Sequence, residues 1–349
     1  MKKKIAAAVL GSTGYVGLEL INILSEHPNV EIKFLGSASN FNKNINFFDK
    51  RIKNKKLPKL DTFDNMDFTN LDVIFLALPH KISHSFISQN KHNLNNLKII
   101  DLSADFRLDK EHIYTNNYHT QHSCPELLKK FVYGLTEINR NKIRKSNFIS
   151  IPGCYPTSIL LPLIPLFKSN LINSKDIIID SKSGYSGAGK KFDKSNILNK
   201  KNYNFYNYGT NNHRHICEIH QELSKFNNNQ IKFSFNPHIL PIFRGMMSTI
   251  YCNLLSKESS KKIIKKLKSF YKNSTFVKIL NEDEVGDFNL VQNTNFCYIK
   301  LYKHSNSSKI IIVSLLDNLI KGASGQAVQC MNIMYDFQEN TGLKNINSD

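Results

Sequence analysis

The stretch IAAAVLGSTGYVGLEL, Ile5 to Leu20, decides the fold of the first half of this chain. Six apolar residues, Ile5 to Leu10, form a run too short for a buried helix and read as a strand covered on both faces. GSTGYVG follows at once, with Gly11, Gly14 and Gly17 three apart, and GLELINILSEHP continues as a helix that must end before Pro28. Glycine permits the tight turn and a close backbone approach, while the helix N-terminus offers N–H groups and the positive end of its dipole to a pyrophosphate. The spacing departs from GxGxxG, and an ordinary strand-to-helix turn would use some of the same residues. The strand-turn-helix context favours dinucleotide binding, with Gly11, Thr13, Gly14, Tyr15, Val16 and Gly17 as its contacts. About 20 residues on, where a carboxylate would grip the ribose 2′-hydroxyl of NAD, stand Ser37, Ala38 and Ser39. Hydroxyls from Ser37 and Ser39, with Lys43 close behind, suit a 2′-phosphate, so the expected cofactor is NADP.

Outward from this turn, VEIKFLGSAS, LDVIFLALP (71–79) and LKIIDLSADFRL (97–108) read as further strands separated by helical segments. Strands alternating with helices imply a parallel sheet covered on both faces. Near residue 152 the pattern changes. A helix from Pro156 is followed by DIIIDSKSG, IKFSFNPHIL, MMSTIYCNL, FCYIKLYKH and KIIIVSLLDN, several with period-2 alternation. The expectation is an α/β Rossmann domain over 1–152, an α+β domain with a mixed, largely antiparallel sheet over 153–318, and a C-terminal helical segment, 319–349, that rejoins the first.

A formal charge of +19 over 349 residues raises the possibility of nucleic-acid binding. Lysine is spread along the whole chain beside abundant Asn and Ile, and the densest run, Lys53 to Lys59, lacks interleaved aromatics, so it reads as a solvated loop and no nucleic-acid partner is expected. No window approaches the roughly 18 uninterrupted apolar residues of a membrane span, and MKKKIAAAVLGSTG leads into a glycine turn rather than a cleavage site. A cytoplasmic protein with no membrane partner is expected. Its six scattered cysteines read as free thiols.

One of those thiols stands apart. In SIPGCYPTSILLPLIPLF, Ser150 to Phe167, Cys154 lies between a Pro-Gly pair and a helix whose first turn holds Pro156. Just before a helix N-terminus, the dipole and free N–H groups favour a thiolate, the form a cysteine nucleophile needs. The other five cysteines read as small buried hydrophobes. A thiolate facing a nicotinamide can attack an activated carbonyl, expel a leaving group and hold the thioester while hydride arrives.

With these residues in view, the chain resembles the N-acetyl-gamma-glutamyl-phosphate reductase family, within the aspartate-semialdehyde dehydrogenase-like superfamily. The resemblance runs through GSTGYVGLEL, LALPH, DLSADFRL, CPELLKKFVYGLTEINR, PGCYPT, SKSGYSGAG, HRHICEI, NPHILPIFRGM and KGASGQAVQCMN. Two motifs depart from the family's usual form, YGLTE for YGLPE and HRHICEI for HRHTPEI. The resemblance implies NADPH-dependent reduction of an anionic acyl phosphate, N-acetyl-gamma-glutamyl phosphate, to a semialdehyde in arginine biosynthesis. A related reductase acting on an aminoadipyl phosphate held by a carrier protein is the same-chemistry alternative. By resemblance Cys154 forms the acyl-thioester, and His213 is favoured over His215 and His238 as the acid/base. HRHICEIH also offers metal-ligand letters, but it lacks a second distant Cys or His pair, and no metal is expected. Ser103, Arg107, Ser183, Gly184, His215, Glu218, His238 and Arg244 are the implied substrate contacts, the arginines through bidentate pairing with anions. Pro79, Ser186, Gly187, Asn318 and Gln326 are the further implied cofactor contacts. A homo-oligomer, dimer or tetramer, is expected.

Overall fold

The structure, a computed structural model, describes residues 4–52, 56–94, 96–190, 192, 194–198, 203–227, 230–303 and 307–343. The lysine run 53–59 lies partly outside the described residues, as does the end of the 319–349 segment. The chain divides into two compact units, residues 4–152 with 323–343, and residues 153–322.

In the first unit, strand β1 (Ile5–Leu10) is buried along its whole length, because parallel neighbours flank it and helices cover it. Glycine ends it, and helix α1 (Tyr15–Ser25) begins with Gly14 as its N-cap. Strands β2 (Val30–Gly36), β3 (Leu60–Asp61), β4 (Val73–Leu76) and β5 (Lys98–Asp101) follow, with helices α2 (Ser83–Gln89) and α3 (Glu111–Tyr118). Strand β6 (Val132–Tyr133), helix α4 (Thr136–Lys145) and strand β7 (Phe148–Ser150) complete the sheet, in the all-parallel order β3-β2-β1-β4-β5-β7-β6. The chain runs to one side of β1 through β2 and β3, then returns to the other side through β4. The glycine turn at the C-terminal end of β1 therefore stands at the point where strand order reverses, the usual ligand position in such sheets. The very short strands β3, β6 and β7 have no clear sequence signal.

The second unit opens with helix α5 (Cys154–Lys168), two residues earlier than Pro156 implied. Gly153 is its N-cap, so Cys154 is its first helical residue and Pro156 its third, a position that needs no intrahelical N–H donor. Pro162 and Pro165 lie inside the helix. An interior proline costs roughly 3 kcal/mol. Every residue from Tyr155 to Phe167 is buried, and each buried Leu or Ile side chain returns about 1.5–3 kcal/mol, so tertiary burial overrides the two prolines. Strand β8 (Ile177–Gly184), strand β9 (Tyr206–Asn207), helix α6 (His215–Ser224), strands β10 (Phe233–Leu240) and β11 (Met246–Asn253), helix α7 (Ser260–Phe270), and strands β12 (Val277–Ile279), β13 (Cys297–Lys303) and β14 (Lys309–Leu316) follow. Their sheet is mixed, in the order β12-β13-β14-β11-β8-β10-β9, with antiparallel pairs in the majority. Helix α5 covers β11 and β14, and a chain of buried hydroxyls, Ser158 to Ser248 to Ser181, ties it to the sheet at 2.6 and 2.7 Å.

A π-helical turn, Ile320–Ser324, precedes helix α8 (Gly325–Met334), which is buried throughout and packs on α1 and α4 of the first unit. The return to that unit falls at residue 323, directly after Gly322, which packs against Cys154. Among the described residues no helix is long and apolar enough to cross a membrane.

The three glycines of the turn do different work. Gly11 has φ +81°, and a Cβ on it would stand 2.1 Å from the Ala77 carbonyl oxygen; one on Gly17 would stand 2.2 Å from the Gly11 carbonyl oxygen. A Cβ on Gly14 meets only that same oxygen, at an ordinary 3.5 Å. Gly11→Ala and Gly17→Ala should therefore lower the thermal midpoint by several degrees or prevent folding, since each added methyl meets backbone and at Gly11 a left-handed alanine alone costs roughly 1–2 kcal/mol. Gly14→Ala should melt much closer to the parent. Equal losses at all three positions, read by calorimetry, would contradict this division.

Candidate active site

Cys154 is half-exposed at the head of α5, and no side chain caps that helix. The preceding turn is gripped by the first turn of α6. Glu218, 1% exposed, accepts the Gly153 N–H through Oε1 at 2.9 Å. The His215 imidazole lies against Gly153 so closely that a Cβ there would stand 2.4 Å from Nε2. His215 and Glu218 are three residues apart and share one face of α6, which is why both reach the same peptide. Loss of the family's proline at position 217 does not prevent this helix from starting at His215. From the other side a Cβ on Gly322 would stand 2.7 Å from the Cys154 Cβ.

His213 sits one step further out. Its Nδ1 accepts the His215 backbone N–H at 3.1 Å, and the rings of Tyr155, Tyr208 and Phe235 stand edge-on to it at 5.5 Å. Burial, reinforced by the neighbouring Arg214 charge, lowers its pKa to about 4. Burial also pushes Tyr208 up to about 12 and Tyr155 well above the ordinary phenol value, so both remain protonated.

Strand alternation sets the side of the sheet on which His238 lies. Phe235 faces Tyr155 and His213, so His238, three residues along β10, projects from the opposite face, where its Nδ1 pairs with Asp180 at 3.2 Å and its ring lies over Phe205. Arg244 is likewise turned inward: its Nη1 pairs with the fully buried Asp317 at 3.3 Å. Glu218 holds backbone rather than facing out. Ser183 is buried and donates to the Gly184 carbonyl, while Gly184 accepts the close approach of the Phe243 and Arg244 backbone. Ser186 accepts from Asn318 at 2.9 Å, and a Cβ on Gly187 would stand 3.0 Å from the Ser183 hydroxyl, so these four residues form one cluster within the second unit.

In the first unit, Arg107 donates to the carbonyls of Ile151 and Leu102, at 2.7 and 3.0 Å, and braces the end of the sheet. Ser103 donates to Asp101 and accepts the Asp105 N–H. Around the glycine turn, Gly14 presents α1 without a side-chain cap, and Thr13 is half-buried. The Val16 carbonyl accepts from Ser324, just before α8, where Gln326 is fully buried. Ser37 is buried, whereas Ser39 is exposed and linked through Asn40 to Lys43, at 3.1 Å in both steps. Pro79 is exposed in the loop after β4. An uncapped helix N-terminus with an open glycine, and a hydroxyl-amide-ammonium set beyond β2, fit a dinucleotide carrying a 2′-phosphate. Among the described residues no three His, Cys, Asp or Glu side chains are placed to hold a metal ion.

Sequence reasoning missed Asp317 and Gly322. Asp317 stands four residues before the start of KGASGQAVQCMN, and an aspartate at a strand end carries no signal of its own.

Residues 6–146 match the semialdehyde dehydrogenase NAD-binding domain family, and residues 154–318 match the semialdehyde dehydrogenase dimerisation domain family. The N-acetyl-gamma-glutamyl-phosphate reductase of Ehrlichia canis (strain Jake) is 42% identical over 348 residues, 99% of each chain. The probable chloroplastic enzyme of that name from Arabidopsis thaliana is 39% identical over 342 residues, 98% of this chain and 84% of that one. Among solved structures, aspartate semialdehyde dehydrogenase II of Vibrio cholerae aligns over 96% of this chain and 99% of its own, at 15% identity with a TM-score of 0.72. The Candida albicans aspartate semialdehyde dehydrogenase, solved with NADP, aligns over 95% and 99% at 17% identity with a TM-score of 0.66.

The state of His213 is directly measurable. With its pKa lowered from 6.5 to about 4, the folded protein binds a proton there less readily than the unfolded chain. Its contribution to stability is intact above about pH 6.5 and is lost progressively as pH falls towards 4. NMR of the ring should give a midpoint near 4 and a neutral imidazole at pH 6. A midpoint between 6 and 7 would contradict the buried, aromatic setting.

Proposed function

This chain belongs to the N-acetyl-gamma-glutamyl-phosphate reductase family of semialdehyde dehydrogenases, and from that premise we propose that it reduces N-acetyl-gamma-glutamyl phosphate to N-acetylglutamate 5-semialdehyde with release of phosphate, in arginine biosynthesis. The observation that carries the mechanism is the seat of Cys154: a half-exposed thiol at an uncapped helix N-terminus, with an imidazole against the adjoining glycine.

In the proposed reaction, His215 takes the Cys154 proton. Its Nε2 adjoins the nucleophile's turn, whereas the Nδ1 of His213 is engaged by backbone, so the proton role favoured for His213 passes to its neighbour. The Cys154 sulfur attacks the γ-acyl carbon, the bond from that carbon to the phosphate oxygen breaks, and inorganic phosphate leaves a thioester. NADPH, when bound, supplies the hydride that converts this thioester to the aldehyde. His215 returns its proton as the thiol is released. Gly11 to Gly17 would hold the pyrophosphate, and Ser39 with Lys43 the 2′-phosphate. Tyr155 and Tyr208, kept protonated by burial, and the aromatic rings around His213 would line the apolar side of the site.

The reading includes a cytoplasmic setting, in keeping with six free cysteines, and a homodimer. The dimer reading rests on the face of the second sheet away from α5. Ile178, Tyr251 and Ile311 lie side by side across β8, β11 and β14, the next row is Asp180, Thr249 and Val313, and none of these six is fully buried. A largely apolar sheet face that the described residues leave incompletely buried is what a second copy of this chain would bury. Tyr251→Arg should shift the protein from dimer to monomer in light scattering. A parent that is already monomeric, or a variant that stays dimeric, would count against this face.

Cys154→Ser should abolish NADPH oxidation with N-acetyl-gamma-glutamyl phosphate while leaving NADPH affinity nearly unchanged, because an unactivated hydroxyl is a far poorer nucleophile. His215→Asn should lower kcat by roughly 10²–10⁴-fold, and His213→Asn by much less. Retention of more than about a tenth of the activity by Cys154→Ser would contradict the covalent route. A larger loss at His213 would reverse the proton assignment. Turnover of a carrier-linked aminoadipyl phosphate, with none of the free metabolite, would replace the substrate.

A further inference from the structure

Asp317 occupies a node that the proposed reaction does not use directly. Its side chain is fully buried at the end of β14. Oδ1 accepts the N–H groups of Leu319 and Ile320, at 2.8 and 3.2 Å, and Oδ2 accepts the Asn293 N–H at 2.8 Å and Arg244 Nη1 at 3.3 Å. A carboxylate has about four acceptor positions, and here each has a donor. The Asp317 carbonyl then accepts the Gly322 N–H at 2.9 Å, an i to i+5 bond that leads the chain into the π-helical turn Ile320–Ser324. Gly322, fixed by that bond, is the residue whose backbone lies against the Cys154 Cβ.

These contacts form one chain of constraint. Arg244 compensates the buried Asp317 charge, Asp317 holds the side-chain and main-chain bonds of the π turn, and the π turn backs the cysteine. We propose that Arg244 and Asp317 are positioning residues that set the nucleophile of this site, and that Arg244 is not a substrate anchor. Releasing the guanidinium to a substrate carboxylate would take a countercharge from a buried carboxylate, a costly exchange. The backbone is fixed from the same side by Asn318, which accepts the Gly245 N–H at 2.9 Å, and by Gln292, which donates to the Arg244 carbonyl at 2.8 Å. Arg244 is therefore held at its main chain as well as its tip.

The inference rests on Cys154 being the reactive thiol of the proposed reaction, and its test has a readout that needs no substrate. Arg244→Lys keeps the charge but loses the planar fork; Gly322→Ala leaves the ion pair untouched and adds a methyl directed at the Cys154 side chain. For each full-length variant, the pH profile of iodoacetamide alkylation at Cys154, followed by peptide mass spectrometry, is compared with kcat and KM for N-acetyl-gamma-glutamyl phosphate in the presence of NADPH. Both variants should shift the alkylation profile and lower kcat roughly 10–10²-fold, as misplacing a reacting group by about an ångström does. KM should stay within about twofold, since no substrate contact is removed. An increase in KM at Arg244→Lys with an unchanged alkylation profile would overturn the inference and make Arg244 a substrate anchor. If Arg244→Lys does not fold, Gly322→Ala decides alone: parent-like alkylation and kcat would refute the positioning chain. A parent protein in which Cys154 is no more reactive than half-exposed Cys217 would refute the reading of the site instead.

Discussion

The Gly153–Cys154 turn is held from three directions, and much of the second unit is what that requires. Glu218 fixes the Gly153 N–H, His215 rests on the glycine's open face, and Gly322 closes on the Cys154 Cβ. Two of these contacts exist only because a side chain is absent: a methyl on Gly153 would strike the imidazole, and one on Gly322 would strike the cysteine. A thiol so enclosed has little freedom of position, the condition under which proximity contributes most to a reaction. Helix α5, apolar on all sides and tied to β11 and β8 through Ser158, Ser248 and Ser181, supplies a rigid mount behind it.

The first unit solves a different problem. Its glycine turn leaves a helix N-terminus bare at Gly14, while Gly17 lets α1 close on the Gly11 carbonyl and Gly11 lets the turn close on the Ala77 carbonyl beyond β4. Nearby, buried Asp101 is pushed up to about 7 by desolvation and by Asp105, while Asp105 gathers the N–H groups of Lys81 and His84 and the Tyr114 hydroxyl. Burial and the facing His84 lower His122 to about 4. These groups, with the Arg107 brace, fix the loops after β4 and β5, and they explain why DLSADFRL is rich in polar residues although hardly any of it is exposed.

Much of this was legible in the sequence. Apolar runs bounded by glycine located the longer strands, and period-2 alternation identified the second sheet, because burial on one or two faces leaves a direct trace in residue order. Proline and glycine placed the head of α5 to within two residues. Roles that depend on which face a side chain leaves were not legible. His238 and Phe235 are neighbours in sequence but lie on opposite sides of the sheet, and the proximity of His215 to Gly153 depends on the fold bringing α6 to α5. Arg244 was visible as a cation, but the buried partner that occupies it, Asp317, is 73 residues away.

In the proposed reaction Cys154 carries the acyl group between phosphate release and reduction. Mixing the protein with N-acetyl-gamma-glutamyl phosphate in the absence of NADPH, quenching in acid and mapping peptides by mass spectrometry would capture that acyl-enzyme. One N-acetylglutamyl adduct is expected, on Cys154, forming with release of phosphate and disappearing on addition of NADPH as the semialdehyde appears. An adduct on any other residue, or reduction that proceeds with Cys154 never acylated, would contradict that role of Cys154.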